Sequence, residues 1–299
     1  MNVTITGSLG HIGRPLTQEL VKKGHSVTVI SSNAEKQPAI KSLGAISAIG
    51  SLEDVDFIAS SFSNADVVYC MVPPANYFDH NLDLLGYYQR LGNNYVQAIE
   101  QAGVKKIINL SSIGGHLDKG NGIILGAHHV ENLLNKLSHD VSITHVRPTQ
   151  FYYNLLPQVH SAKNNGFIAS NIGNDVINSW VSPLDIARAI AEEITSPFIG
   201  RKVRYVASEE ISYNELVRIL GNAIGNPELK WLAITDEQMK DGLISVGMNP
   251  EIAEGLTEMC AAIHSGLLYE DYNLHKPSIM GNVKVTDFAN DFAAGYKKL

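Results

Sequence analysis

Apolar and polar positions along the first half of the chain follow two periods, and the period switches at short intervals. Runs rich in β-branched residues at 3–6, 27–30, 45–49, 67–71, 106–110 and 142–146 read as strands. Between them, residues 12–23, 52–61, 86–101 and 130–137 repeat apolar side chains at helical spacing. In the first of these helices Ile12, Leu16 and Leu20 recur every fourth residue and share one face. Pro15 falls in its first turn and Gly24 supplies a stop. Such alternation predicts an α/β fold, a doubly wound parallel sheet with helices on both faces.

After Pro148 the rhythm changes. Residues 156–178 are richer in Asn, Gly and Ser and read as an excursion, whereas 182–194 return to a strong helical pattern. Residues 203–207 form a further strand. A helix over 212–224 opens on Ser212 with Glu215 three residues on, a capping-box spacing. Residues 226–280 look helical and loop-rich. The expected organisation is a nucleotide-binding domain over 1–155, with 179–208 returning to it. A smaller, discontinuous α+β lobe would be built from 156–178 and 209–299.

Composition narrows the class. The 299 residues are 44% hydrophobic and carry a net charge of −7, so a packed core is expected and broad binding to nucleic-acid phosphates is not. Cys70 and Cys260 are the only cysteines, which excludes a disulfide framework and fits a reducing compartment. No apolar run approaches the ~20 residues needed to span a bilayer, and the start of the chain lacks a signal-peptide pattern. A soluble, cytoplasmic protein is expected. Eleven histidines raise the question of a metal, but no two are spaced as a helical His-x-x-x-His pair, so no metal site is expected.

The chemistry is concentrated at residues 6–13 (TGSLGHIG), a G-x-x-G-x-x-G loop between the first strand and the first helix. Glycines let a pyrophosphate approach the backbone, and the helix N-terminus offers unpaired N–H groups and a positive dipole. Gly7, Ser8, Leu9, Gly10, His11, Ile12 and Gly13 are therefore candidate cofactor-binding residues. NAD-preferring sites place a carboxylate about 20 residues later, near the end of the second strand. Here Ser31, Ser32 and Asn33 stand in its place, with Lys36 beyond and Arg14 beside Gly13. Hydroxyls, an amide and cations suit a 2′-phosphate, so NADP is favoured, with NAD open.

The loop spacing resembles that of the short-chain dehydrogenases/reductases. Residues 106–114 (KIINLSSIG), 128–134 (HHVENLL), 145–155 (HVRPTQFYYNL) and 180–187 (WVSPLDIA) follow in order and resemble the atypical, NmrA-like branch. The resemblance implies a Rossmann fold that binds NAD(P) and a small-molecule substrate, with Val72, Pro73 and Ser111 along the cofactor crevice. It also implies that Ser112 stands at the active-site strand end, and that Phe151, Tyr152 and Asn154 face the substrate. One feature departs from the superfamily. With Glu131 as anchor, the positions of the usual Tyr-x-x-x-Lys pair hold Ile123 and Ala127. His128 or His129 is then a candidate proton donor near neutral pH. Three functions stay open: an NAD(P)H-dependent oxidoreductase acting on a quinone or activated carbonyl, a non-catalytic NADP(H) sensor, and a nucleotide-sugar epimerase or dehydratase. A homodimer or a regulatory protein partner is also open.

Overall fold

The computed structural model describes residues 1–197 and 199–299. Its centre is a seven-stranded, all-parallel sheet made of β1 (Asn2–Ile5), β2 (Ser26–Ser31), β3 (Ile46–Ile49), β4 (Val67–Cys70), β5 (Lys106–Leu110), β6 (Ser142–Pro148) and β10 (Arg201–Val206). The spatial order is β10-β6-β5-β4-β1-β2-β3. The order reverses between β1 and β4, and in such sheets ligands bind outside the strand ends at that switch point. The loops after β1 and β4 flank it.

Two helical layers cover the sheet. On one face α1 (Gly13–Lys22) packs beside α7 (Pro183–Thr195), burying Leu16 and Leu20 completely against Ile186 and Ile190. Each such side chain contributes roughly 1.5–3 kcal/mol of burial. On the other face lie α3 (Val55–Phe62), α4 (Leu84–Ala102) and α5 (Leu125–Leu134), closed around Tyr95, Ile99 and Val130. Caps fix the ends: the Asp83 carboxylate accepts the Gly86 N–H, and Gly103 terminates α4 at φ 69°. The short α2 (Gln37–Ser42) follows β2.

β7 (Gln150–Phe151), β9 (Ile177–Val181) and β11 (Glu209–Ser212) form a second, three-stranded sheet. The stretch read as an excursion holds α6 (Val159–Asn165) and β8 (Phe167–Ser170); β8 pairs in parallel only with β12 (Lys230–Ala233). The remaining helices are α8 (Tyr213–Ile224), α9 (Asp236–Ser245), α10 (Pro250–His264), α11 (Glu270–Leu274) and α12 (Val285–Lys298). Ser212 caps α8 by accepting the Glu215 N–H, as its spacing predicts. A core of Tyr152, Trp180, Tyr213 and Phe292 joins these elements. Among the described residues no helix is long and apolar enough to cross a membrane.

His145 on β6 is 3% exposed. Its Nε2–H donates to Asn135 Oδ1 and its Nδ1 accepts from the Asn109 amide, both at 3.1 Å, so the ring is held neutral. Burial lowers its pKa, and burial likewise lowers that of His116. An unfolded histidine titrates near 6.5. Stability from this source is therefore complete above about pH 6.5 and is lost as the pH falls toward the lowered folded pKa. Urea denaturation should show ΔG falling from pH 7 to 5, with a shallower fall in His145→Asn; an identical slope in the variant counts against it.

Candidate active site

Of the three glycines of the loop between β1 and α1, the fold requires two, each for its own reason, and leaves the third free. Gly7 has φ 84°, in the left-handed region. A Cβ on Gly13 would lie 2.1 Å from the Ser8 carbonyl oxygen, so the loop closes only without one. A Cβ on Gly10 would meet nothing nearer than Gly7 O at 3.6 Å, an ordinary contact. The protein's own packing leaves that space free. Beside it, α1 begins with no side-chain cap and no acidic residue in its first turn. Unpaired N–H groups, a positive helix end and an open cradle fit a dinucleotide pyrophosphate.

Ser8 is itself left-handed at φ 58°. Its N–H donates to Ile30 O at 3.1 Å and its hydroxyl to Ser31 Oγ at 3.0 Å, which holds the strained residue in place. This corrects the expectation for Ser31. That residue is buried, and its hydroxyl also receives the Asn33 N–H at 3.2 Å, so it secures the loop instead of facing an adenosine phosphate. Ser32, Asn33, Lys36 and Arg14 are exposed. Leu9 and Ile12 pack their side chains on the α1/α7 core, leaving only their backbone for a ligand.

At the end of β4, Met71 N–H donates to Thr6 Oγ1 at 2.9 Å and Tyr95 OH donates to Met71 O at 2.6 Å. The half-buried Val72 and Pro73 follow, and Tyr87 OH donates to Pro73 O at 3.2 Å. At the end of β5 the Ser111 hydroxyl is buried without a partner, and the half-buried Ser112 makes no side-chain hydrogen bond among the described residues. An unpartnered buried hydroxyl at a strand end calls for water or ligand.

The structure gives both ring nitrogens of His128 protein partners. Its Nδ1–H donates to Gly115 O at 2.9 Å and its Nε2 accepts from the Asn132 amide at 2.8 Å, so both nitrogens are spent fastening the loop after β5. His129 Nδ1 is likewise paired with the Gln89 amide. Ile123 shows what fills the expected tyrosine position. Its short helical turn, Gly122–Ile124, rests on α10 so closely that a Cβ on Gly122 would lie 1.9 Å from Gly255 O. Ile123 joins the apolar cluster of Leu84, Met248 and Ile252. That site has become packing.

Tyr152 also departs from expectation. It is 1% exposed, parallel to Trp180 and stacked on Phe288, with its hydroxyl donating to Glu209, so it is core and not a substrate contact. Its neighbour Tyr153, not selected from sequence, faces the loop instead. Its ring stacks on His11 at 4.7 Å and 18°, and Phe151 packs against it at 5.1 Å. Burial, helped by Tyr77, pushes its phenol up to about 12. Asn154 is exposed on the same 3-10 turn, Tyr152–Gln158. The run Phe151-Tyr152-Tyr153 contains the signal, but only the phase of the turn decides which ring faces out.

A sequence model of the NmrA-like family matches residues 1–275. The chain belongs to the NmrA-like family. Among relatives of this NmrA-like chain, the NAD(P)H azoreductase of Xenophilus azovorans is 23% identical over 260 residues, covering 87% of this chain and 86% of the relative. Two solved structures share the fold. One is the NADPH-dependent quinone oxidoreductase of Escherichia coli, in complex with NADPH, at TM-score 0.80 and 19% identity, covering 97% of this chain and 99% of that one. The other is the triphenylmethane reductase of a Citrobacter species, at TM-score 0.79 and 19% identity, covering 98% and 99%.

Proposed function

We propose that the protein is an NADPH-dependent reductase of a small, electron-poor acceptor such as a quinone or an activated carbonyl. The observation that carries this is Gly10, a glycine the fold does not need, beside an uncapped helix end. The names of the azoreductase and the quinone oxidoreductase support the cofactor class and the type of acceptor. When bound, NADPH supplies the hydride.

The residues divide the remaining work. Backbone N–H groups of the loop from Gly7 to Gly13, that of Ser8 excepted, hold the pyrophosphate, and Ser32, Asn33 and Lys36 close on the 2′-phosphate. Val72, Pro73 and Ser111 line the crevice toward the nicotinamide. The free hydroxyl of Ser112 hydrogen-bonds an acceptor oxygen, with Phe151 and Asn154 at the acceptor end. Residues 1–155 with 179–208 form the cofactor unit, and 156–178 with 209–299 close over the acceptor. A cytoplasmic setting fits the two unpaired thiols.

A second reading is a cofactor sensor that contacts a protein partner, favoured by the conversion of the Tyr-x-x-x-Lys positions to Ile123 and Ala127. The same two residues count against an epimerase, which relies on the tyrosine as base. Titration with NADPH and NADH, followed by cofactor oxidation with quinones, enals and ketones, separates these. Binding with turnover supports the reductase, binding without turnover on any acceptor supports the sensor, and binding of neither cofactor removes both. Ser32→Asp should weaken NADPH roughly tenfold by repelling the 2′-phosphate while sparing NADH. Equal losses for the two cofactors would place Ser32 away from the ribose.

A further inference from the structure

Tyrosines from separate parts of the chain converge beside the end of β4 and the glycine loop. Tyr77 comes from the loop after β4, Tyr88 from the second turn of α4 and Tyr153 from the turn after β7. All three are half-buried, and their hydroxyls make no hydrogen bond among the described residues. Tyr87 and Tyr95, on the same helix as Tyr88, instead spend theirs on Pro73 O and Met71 O. Burial raises the Tyr88 phenol above its usual range, and Tyr77, Tyr87 and Tyr153 raise it further. Tyr77 acts on Tyr153 in the same way, so the three free hydroxyls bear on one another.

Tyr153 marks one side of this space, since its ring stacks on His11 of the glycine loop. Tyr88 marks the other. A Cβ on Gly126 of α5 would lie 2.6 Å from Tyr88 Cγ, so the tyrosine ring occupies the room a side chain there would need. Gly126 stands between Ile123 and Ala127, the two positions that lack the usual tyrosine and lysine. A ring from α4 therefore rests where α5 has lost its own. Tyr88 and Val72 pack on the same apolar cluster. β4 and β5 pair Cys70 with Asn109, a register that carries Val72 and Ser111 to the same end of the sheet.

We propose that Tyr88 is a catalytic residue of the reductase described above, the proton donor that α5 does not supply, acting on a carbonyl acceptor. The proposal rests on that reading. The Tyr88 hydroxyl joins that of Ser112 on the acceptor oxygen. As a C–H bond of the dihydronicotinamide breaks and one forms at the carbonyl carbon, the π pair moves onto oxygen. The Tyr88 O–H then breaks, an O–H bond forms on the product, and solvent returns a proton to the phenolate. With its phenol raised and no lysine at 127, fewer than about one Tyr88 in a thousand is ionised at pH 7. It serves as an acid for reduction and not as a base for alcohol oxidation. A raised phenol also yields its proton only to a strong base. The alkoxide left by a ketone is one; the anion of a hydroquinone is weaker.

Tyr88→Phe keeps the ring on Gly126 and removes only the hydroxyl. Absorbance titration of NADP-saturated protein with 4-nitrophenolate, at mildly alkaline pH, uses an oxygen anion in place of the nascent alkoxide. The variant should bind it about tenfold more weakly. In turnover, kcat for 2,3-butanedione should fall about 100-fold, the size of a general-acid contribution, and kcat for menadione less than about threefold. Tyr77→Phe and Tyr153→Phe should each lose less than about threefold in both measurements. A ring that only packs would move the two acceptors together. Equal losses for ketone and quinone, unchanged 4-nitrophenolate affinity in Tyr88→Phe, or a larger loss in either other variant would overturn the proposal. A parent protein that binds NADPH but turns over no acceptor would instead remove the reductase reading, a failure visible before any variant is made.

Discussion

Gly10→Ala should fold as the parent does and lose NADPH. The added methyl meets only Gly7 O at 3.6 Å, and Gly10 is not among the residues with positive φ, so neither packing nor backbone resists the change. Tm should stay within about 2 °C, the shift expected for less than ~1 kcal/mol in a chain of this length. The same methyl occupies the cradle where a pyrophosphate must touch the backbone. Displacing a charge-assisted N–H contact costs about 1.5–3 kcal/mol each, so NADPH affinity should fall by roughly 10- to 100-fold. Gly13→Ala gives the contrast, since its methyl strikes Ser8 O at 2.1 Å and should lower stability and affinity together. Isothermal titration and thermal unfolding of both variants read the two effects apart. Unchanged NADPH affinity in a folded Gly10→Ala protein would move the cofactor away from this loop.

How far the molecule could be read from its residues depended on how local the deciding contacts are. The glycine loop was legible because a strand, three glycines and a helix start are contiguous. Residues 106–110 were read as the strand that forms, since their apolar run is bounded by its own turn signals. β8 and β12 were not seen because each pairs only with the other across some 60 residues of chain, and neither run is long enough to announce itself. α12 was missed for lack of a marked start: its cap is Lys284, whose backbone N–H is taken by Asp287. At the site, Ser31 was assigned by position, but its direction depended on the strained Ser8 opposite. Tyr152 and Tyr153 were separable only once the 3-10 turn set their phase. His128 carries the right chemistry for a proton donor, but its two partners, Gly115 O and the Asn132 amide, could not be read from its own stretch of sequence. Glu131 served as a sequence anchor for an absent pair; the structure supplies the partner that explains its burial, Arg147.

That pair carries the second large effect. Arg147 on β6 is 6% exposed and holds Glu131 of α5 through two bonds, Nε to Oε1 at 2.8 Å and Nη2 to Oε2 at 2.6 Å. Its Nη1 reaches Asp271 of α11 at 3.0 Å and Tyr205 at 3.1 Å, and Tyr205 OH closes the ring onto Asp271. One guanidinium thus joins α5 to α11 and to Tyr205 of β10. Arg147→Met keeps the volume and strands two carboxylates, one of them buried, which should cost about 3–5 kcal/mol of folding stability. Glu131→Leu/Arg147→Met removes the more buried carboxylate as well and should recover much of that loss, because the penalty lies in the unpaired charge and not in the absence of the pair. The pH dependence has a definite sign. Tyr205 and Arg147 hold the Asp271 carboxyl below its usual range against the opposing effect of burial. Its contribution is therefore complete above about pH 4 and is lost as the pH falls through the lowered value. Urea denaturation of the two variants at neutral pH, with the parent followed from pH 5 to 2, measures all three quantities. A loss under about 1 kcal/mol in Arg147→Met, or a double variant less stable than the single, would show that the ring does not tie α5 to α11.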